Sequence, residues 1–152
     1  MTLRDRLQAA LKDAMRAREA DRLSTLRLIN AAIKDREIAL RGEPGEVEVA
    51  DPEILGILGK LVKQRQESAR AFEEGGRLEL AEKELAEVRV IEEFLPRQLS
   101  AEEVQAVIGA AIAEIGASGI RDMGRVMAAL KARYTGQMDF GAVGPMVKDR
   151  LG

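Results

Sequence analysis

An all-α fold follows from three features of the sequence. Apolar residues recur at spacings of three and four, the period of a helix with one buried face. Glycines and prolines with turn chemistry fall between those periodic stretches. Aromatics supply only 3 % of the 152 residues, and the apolar set is dominated by Leu, Ile, Val, Ala and Met, the usual filling of amphipathic helices. No strand-like alternation, internal repeat or low-complexity tract is present.

Thr2-Leu3-Arg4-Asp5 offers a cap with an acid three residues on, and Leu3, Leu7, Leu11 and Ala14 mark the buried stripe of a first helix. The polar patch Arg18-Glu19-Ala20-Asp21 predicts a turn or a kink. A second helix follows from Asp21, with Leu23, Leu26, Ile29, Ile33 and Leu40 inward. Gly42-Glu43-Pro44-Gly45 reads as a loop, with Gly42 just past the helix end. Asp51-Pro52-Glu53 predicts a third helix: aspartate as cap, proline at the first helical position, glutamate against the positive helix end. Its apolar face is Ile54, Ile57, Leu58, Leu61, Val62, Ala69 and Phe72, and Gly75-Gly76 ends it. A fourth helix from Leu78 turns Ala81, Leu85, Val88, Ile91 and Leu95 inward and stops before Pro96.

Pro96 marks a boundary, giving an N-terminal helical domain over 1–96 and a C-terminal tail over 97–152. Ser100-Ala101-Glu102-Glu103 has capping-box spacing. The fifth helix buries Val104, Val107, Ile108, Ala111, Ile112 and Ile115, and ends at Gly116. Gly119 and Asp122 set up a short sixth helix with Val126, Met127 and Leu130 inward, closed by Gly136. Two arrangements stay open for the last helix: it begins near Pro145, or Asp139 caps it and Pro145 kinks it. Short connections place sequential helices side by side and antiparallel. The expectation is a four-helix hairpin assembly followed by a three-helix tail.

Cysteine and histidine are absent, which excludes disulfides, zinc–thiolate sites, thiolate nucleophiles and imidazole bases or ligands. There is no glycine-rich phosphate cradle of the Walker type, and no Ser-Lys or Ser-His set can be assembled. No catalytic residue, cofactor or metal is expected. With no run long enough to span a bilayer and no basic-then-apolar leader, the expectation is a cytoplasmic chain without a membrane partner.

The formal net charge of −2 hides blocks of +4 over residues 1–42, −5 over 43–59, +3 over 60–72, −5 over 73–95 and +1 from Pro96 onward. Such blocks fit the solvated faces of neighbouring helices that attract one another. A mildly acidic protein still binds a polyanion if its bases share one face. Glu79, Glu82, Glu84, Glu87, Glu92 and Glu93 read as a solvated face rather than as paired catalytic carboxylates. Glu84, beside the apolar stripe, is expected to pair with Arg27 or Arg65. Asn30 is read as a buried hydrogen-bonding group that fixes helix register. Met123 and Met127, four apart, read as core.

Two basic sets are candidate RNA contacts. Lys60, Lys63, Arg65 and Arg70 make the third helix basic; Lys63 and Arg70 lie on nearly one face, with Lys60 one turn before Lys63. They are either a phosphate-contacting stripe or partners for the acidic fourth helix. In the tail the bases are Arg121, Arg125, Lys131, Arg133 and Lys148. Gly124, near the start of the sixth helix, leaves room for a close approach by another helix or by a phosphate, where free N–H groups attract an anion.

Four stretches carry a resemblance: Leu23-Ser24-Thr25-Leu26-Arg27, Lys63-Gln64-Arg65-Gln66-Glu67-Ser68, Phe94-Leu95-Pro96-Arg97-Gln98-Leu99-Ser100 and Asp122-Met123-Gly124-Arg125-Val126-Met127. In this order and spacing the chain resembles the GatB/YqeY family over nearly its full length. Its last part is similar to the tail of the GatB subunit of the glutamine-dependent tRNA amidotransferase. The resemblance implies an all-helical two-domain fold and a tail that holds tRNA or serves an aminoacyl-tRNA-handling enzyme. It also implies, as an alternative, accessory or stand-alone carbon–nitrogen ligase activity with glutamine as amido-N-donor. That chemistry belongs to parts of the amidotransferase absent from this chain, so the leading expectation is a non-catalytic module. A protein-interaction adaptor without RNA is the third reading. The chain departs from the family pattern at Ala128, where glycine is common, and at Thr135-Gly136-Gln137-Met138, which lacks the bases common around that turn glycine. Fewer bases there neutralise fewer phosphates.

Overall fold

The computed structural model describes residues 2–40 and 48–152; Gly42 and the loop reading over 42–45 lie outside the described residues. The described residues contain no strand. Their helices are α1 (Leu3–Ala17), α2 (Ala20–Ala39), α3 (Asp51–Glu74), α4 (Leu78–Glu92), α5 (Ala101–Ile115), α6 (Met123–Tyr134) and α7 (Phe140–Leu151), with a 3₁₀ turn (Ile120–Asp122) leading into α6. The chain divides into two compact units, Met1–Leu95 and Pro96–Gly152.

In the first unit, Leu3, Leu7, Leu26, Ile29, Ile54, Leu58 and Ile91 close one hydrophobic cluster. Each fully buried Leu or Ile there contributes about 1.5–3 kcal/mol. Thr2 caps α1 reciprocally: its Oγ1 accepts from the Asp5 N–H at 3.1 Å, and Asp5 accepts from the Thr2 N–H at 3.3 Å. Arg18, in the left-handed region at φ 57°, stops α1 and turns the chain into α2. Helices α3 and α4 form the most extensive helix pair, reversed at Gly75 and at Gly76 with φ 75°.

Three expectations are corrected in this unit. Asp51 does not cap α3. Ala50 holds the cap position, and the Asp51 carboxylate accepts from the Leu3 N–H of α1 at 3.2 Å. An unsatisfied amide at the start of one helix is thus answered by the first residue of another. Asn30 is only half-buried; the buried polar side chain of α2 is Thr25, whose Oγ1 donates to the Asp21 carbonyl one turn back at 3.2 Å. Arg65 pairs with Glu87 at 2.9 Å instead of with Glu84, and also donates to the Leu61 carbonyl. Glu87 lies one turn farther along α4, where the long guanidinium reaches it.

Around Phe94, the Arg6 guanidinium sits 5.6 Å from the ring centroid and donates to the Glu93 carbonyl, while Arg22 holds the Glu93 carboxylate at 2.5 Å. That pairing raises the Arg22 pKa further.

The second unit has its own cluster, with Ile108, Val126, Leu130, Val143 and Val147 at its centre. Ser100 caps α5 as its spacing predicts: Oγ accepts from the Glu103 N–H at 3.1 Å, and Glu103 accepts from the Ser100 N–H at 3.0 Å. Gly116 at φ 73° ends α5. Asp139 caps α7 through the Gly141 N–H at 3.0 Å, and the helix continues through Pro145. A start near Pro145 is therefore overturned. The segment before α5 is bound to the turn after α6. Leu99 N–H donates to the Gln137 carbonyl at 2.9 Å, Gln98 Nε2 to the Gly136 carbonyl at 2.5 Å, and Gln137 Nε2 to the Arg97 carbonyl at 3.1 Å.

Candidate nucleic-acid interface

Lys60, Lys63 and Arg70 are exposed on α3. At about 100° per residue, Lys63 and Arg70 are separated by about 20° around the axis and Lys60 by about 60° from Lys63, all on the side away from Ile54, Leu58 and Val62. Arg65 leaves that set, because its side chain is 12 % exposed and engaged with Glu87. Of the two readings the segment allowed, Arg65 follows the one in which it partners the acidic α4, while Lys60, Lys63 and Arg70 are exposed.

The tail bases lie in the second unit and are all exposed. They divide by electrostatics. Arg133 of α6 presents both terminal nitrogens to Glu114 of α5, each at 2.7 Å. The pairing holds the Glu114 carboxyl below its usual range and raises Arg133. Arg125 donates to Asp122 Oδ1 at 2.7 Å while its side chain stays 65 % exposed. Arg121, Lys131 and Lys148 have no carboxylate in ion-pair range among the described residues. Nor do the bases share one edge. On α6, Lys131 and Arg133 stand about 160° apart around the axis.

Asp122 precedes α6 but makes no side-chain cap bond to that helix. Asp122 Oδ2 accepts from the N–H groups of Ser118 at 3.0 Å and Gly119 at 3.4 Å. The Ser118 N–H, followed by Arg125, keeps the Asp122 carboxyl below its ordinary value. The carboxylate thus fastens the entry to the 3₁₀ turn and leaves the first-turn amides of α6, where Gly124 stands, to other partners. Among the described residues beyond its own stretch of helix, nothing comes within 4 Å of a Cβ built at Gly124, so it is not a helix-packing glycine. Met123 and Met127 pack against the tail cluster, as their spacing predicts.

Two tail bases were given no role by sequence reasoning. Arg97 forks onto Glu103 at 2.9 and 2.8 Å. With the Ser100 N–H as second donor, it lowers Glu103 to about 2. Arg150 has no carboxylate in ion-pair range among the described residues; its Nη2 donates to Gln105 Oε1 at 2.7 Å. Only the topology, which lays α7 beside the start of α5, brings Arg150 to Gln105.

A cleft of about 780 Å³ between α2 and α4 gathers Glu19, Asp21, Glu79, Glu82 and Glu87 over Thr25, Ala86 and Val90. Glu82 is tied to Arg89 and Glu87 to Arg65. Asp21 and Glu79 stand in first helical turns, where a carboxylate offsets the positive helix end. Among the described residues no group of three acids is placed to hold a metal ion, and no single helix is long and apolar enough to cross a membrane.

The geometry defines a helical protein with two cores and a tail carrying exposed bases. Its sequence matches the family described as Yqey-like protein over residues 4–151, and the chain belongs to that family. An uncharacterized protein of Schizosaccharomyces pombe is 30 % identical over 94 residues, which cover 62 % of this chain and 72 % of that protein. The protein named Altered inheritance of mitochondria protein 41, mitochondrial, is 34 % identical over 111 residues in Eremothecium gossypii, covering 72 % of this chain and 58 % of the relative. In Clavispora lusitaniae the protein of that name is 38 % identical over 89 residues, 59 % of this chain and 49 % of the relative. The matched region is thus about half to three quarters of each relative. The names of the latter two are those of mitochondrial proteins, so they lend no support to a cytoplasmic expectation.

Proposed function

We propose that the chain is a non-catalytic helical module whose C-terminal unit contacts tRNA or a similarly folded RNA through its phosphates. The observation behind this reading is the charge left over after internal pairing. Glu103, Glu114 and Asp122 are each taken up by an arginine of the same unit. Arg121, Lys131 and Lys148 keep their charge uncompensated at the surface. Pairing leaves the formal +1 unchanged, with Arg121, Lys131, Lys148 and Arg150 standing against Glu102, Asp139 and Asp149; what it decides is which bases a polyanion meets without displacing a partner. Contacts of this kind position a nucleic acid without reading its bases, so recognition is by shape and backbone.

The module reading over a ligase reading rests on inventory. The chain has no cysteine to release ammonia from glutamine and no histidine to serve as base, and its cleft acids are explained by ion pairs and helix ends. Titration of labelled tRNA at about 50 and 200 mM salt tests the proposal. Binding at low salt that weakens at high salt, and that charge reversal at Arg121, Lys131 and Lys148 abolishes, is the expected result. Absence of low-salt binding, or indifference to those substitutions, would overturn it. Glutamine-dependent conversion of mischarged tRNA by the purified chain would establish the ligase reading instead.

A further inference from the structure

Resting on that reading, we infer that Arg150 is a preset phosphate contact of the tail and that Arg133 stands outside the contact surface. Arg133 and Arg97 each spend both terminal nitrogens on one carboxylate. A guanidinium forked in that way has its charge matched and its best edge occupied. Arg150 is held differently. Among the described residues its side chain donates to the neutral amide oxygen of Gln105, and Gln105 is itself oriented by donating through Nε2 to Met146 Sδ at 3.5 Å. The arginine is therefore positioned without being neutralised, and most of its five N–H donors remain for an anion.

Gly109 explains how it reaches that position. A Cβ built at Gly109 would stand 2.8 Å from Arg150 Nη1 and 3.9 Å from Cζ, the two atoms of the described residues beyond its own stretch of helix that come within 4 Å. Glycine inside a helix costs about 1 kcal/mol relative to alanine. Here the group that gains from it is the guanidinium that lies across it. A side chain fixed before binding loses less entropy when a ligand arrives. The structure thus supplies a seat for one arginine on α5, built from a glycine and an amide.

The test uses the full chain and fluorescence anisotropy with labelled tRNA at about 0.1 M salt. Arg150→Gln is expected to weaken binding about five- to eightfold, the effect of one phosphate contact at that ionic strength. Arg133→Gln is expected to stay within about twofold of wild type. Gly109→Ala should displace the guanidinium and weaken binding, with no further loss in the Gly109→Ala/Arg150→Gln double variant, a non-additivity that a general loss of folding would not produce. Its thermal midpoint should not fall, because alanine favours the helix. Wild-type binding that Arg150→Gln leaves unchanged, Arg133→Gln weakening it equally, or additive losses in the double variant would overturn the inference alone. Wild type that binds no tRNA at all defeats the functional reading beneath it as well.

Discussion

Replacing Ile108 by alanine removes a side chain with 0 % exposure from the centre of the tail cluster. Three carbons are lost, at about 0.8 kcal/mol each in transfer free energy, and the cavity left behind brings the cost to about 2–5 kcal/mol. A unit the size of Pro96–Gly152 has a stability of about 3–8 kcal/mol at typical per-residue values. The substitution therefore removes a large share of it. The first unit closes around a cluster that shares no residue with this one. Hydrogen exchange read by mass spectrometry separates the two. Amides in α5, α6 and α7 should lose protection by a factor of about 30 to a few thousand, while those in α1 to α4 keep theirs. Equal loss in both units would show that the clusters unfold as one body, and unchanged exchange in α5 would show that Ile108 is not the keystone its burial makes it.

Ser100→Ala removes one half of the α5 capping box and should cost about 1 kcal/mol, read as a lower urea midpoint at unchanged slope. Arg65→Ala leaves Glu87 beside α3 without its partner. The pair is neither fully buried nor fully exposed, so a loss of about 1–2 kcal/mol is expected in the same assay. For pH, Glu103 is depressed from 4.5 to about 2, and Glu114 and Asp122 are lowered too. A depressed carboxyl contributes stability that is complete above its unfolded value and is lost as pH falls through the folded one. Tail helicity by circular dichroism should hold above about pH 4.5 and decline towards pH 2, and Glu103→Gln should flatten that decline.

The helices were legible because each carries its own signal: a stripe at spacings of three and four, a reciprocal cap at Thr2 and at Ser100, a left-handed glycine at Gly116. What local pattern does not carry is a partner far along the chain. Asp51 looks like the cap of its own helix, yet it answers the Leu3 amide 48 residues away. Helical spacing puts both Glu84 and Glu87 within sight of α3, and only packing selects Glu87 for Arg65. For α7 the sequence held two geometries open, and the hydrogen bond from Gly141 to Asp139 decides between them. The stretches that carry the family resemblance prove largely architectural. Thr25 and Leu26 are buried, Arg65 joins two helices, Gln98 and Leu99 are bonded to the Gly136-Gln137 turn, and Asp122 fastens the Ser118 amide ahead of the 3₁₀ turn. Family motifs thus reported the fold more directly than the candidate interface. Arg150 was invisible for the same reason as Asp51: its seat is made by residues about forty positions earlier, at Gln105 and Gly109.

The central claim is that uncompensated bases on the tail hold RNA by its phosphates, and salt dependence measures it most directly. Lys148 and Arg150 stand about 160° apart around α7, so with Arg121, Lys131 and one of those two in contact, the logarithm of tRNA affinity should fall with the logarithm of salt concentration at a slope of about −2 to −3, from about 0.7–0.9 per contact. The Arg121→Gln/Lys131→Gln/Lys148→Gln variant should reduce the slope to about −1. A flat line for wild type, or the same slope in both proteins, would contradict the account.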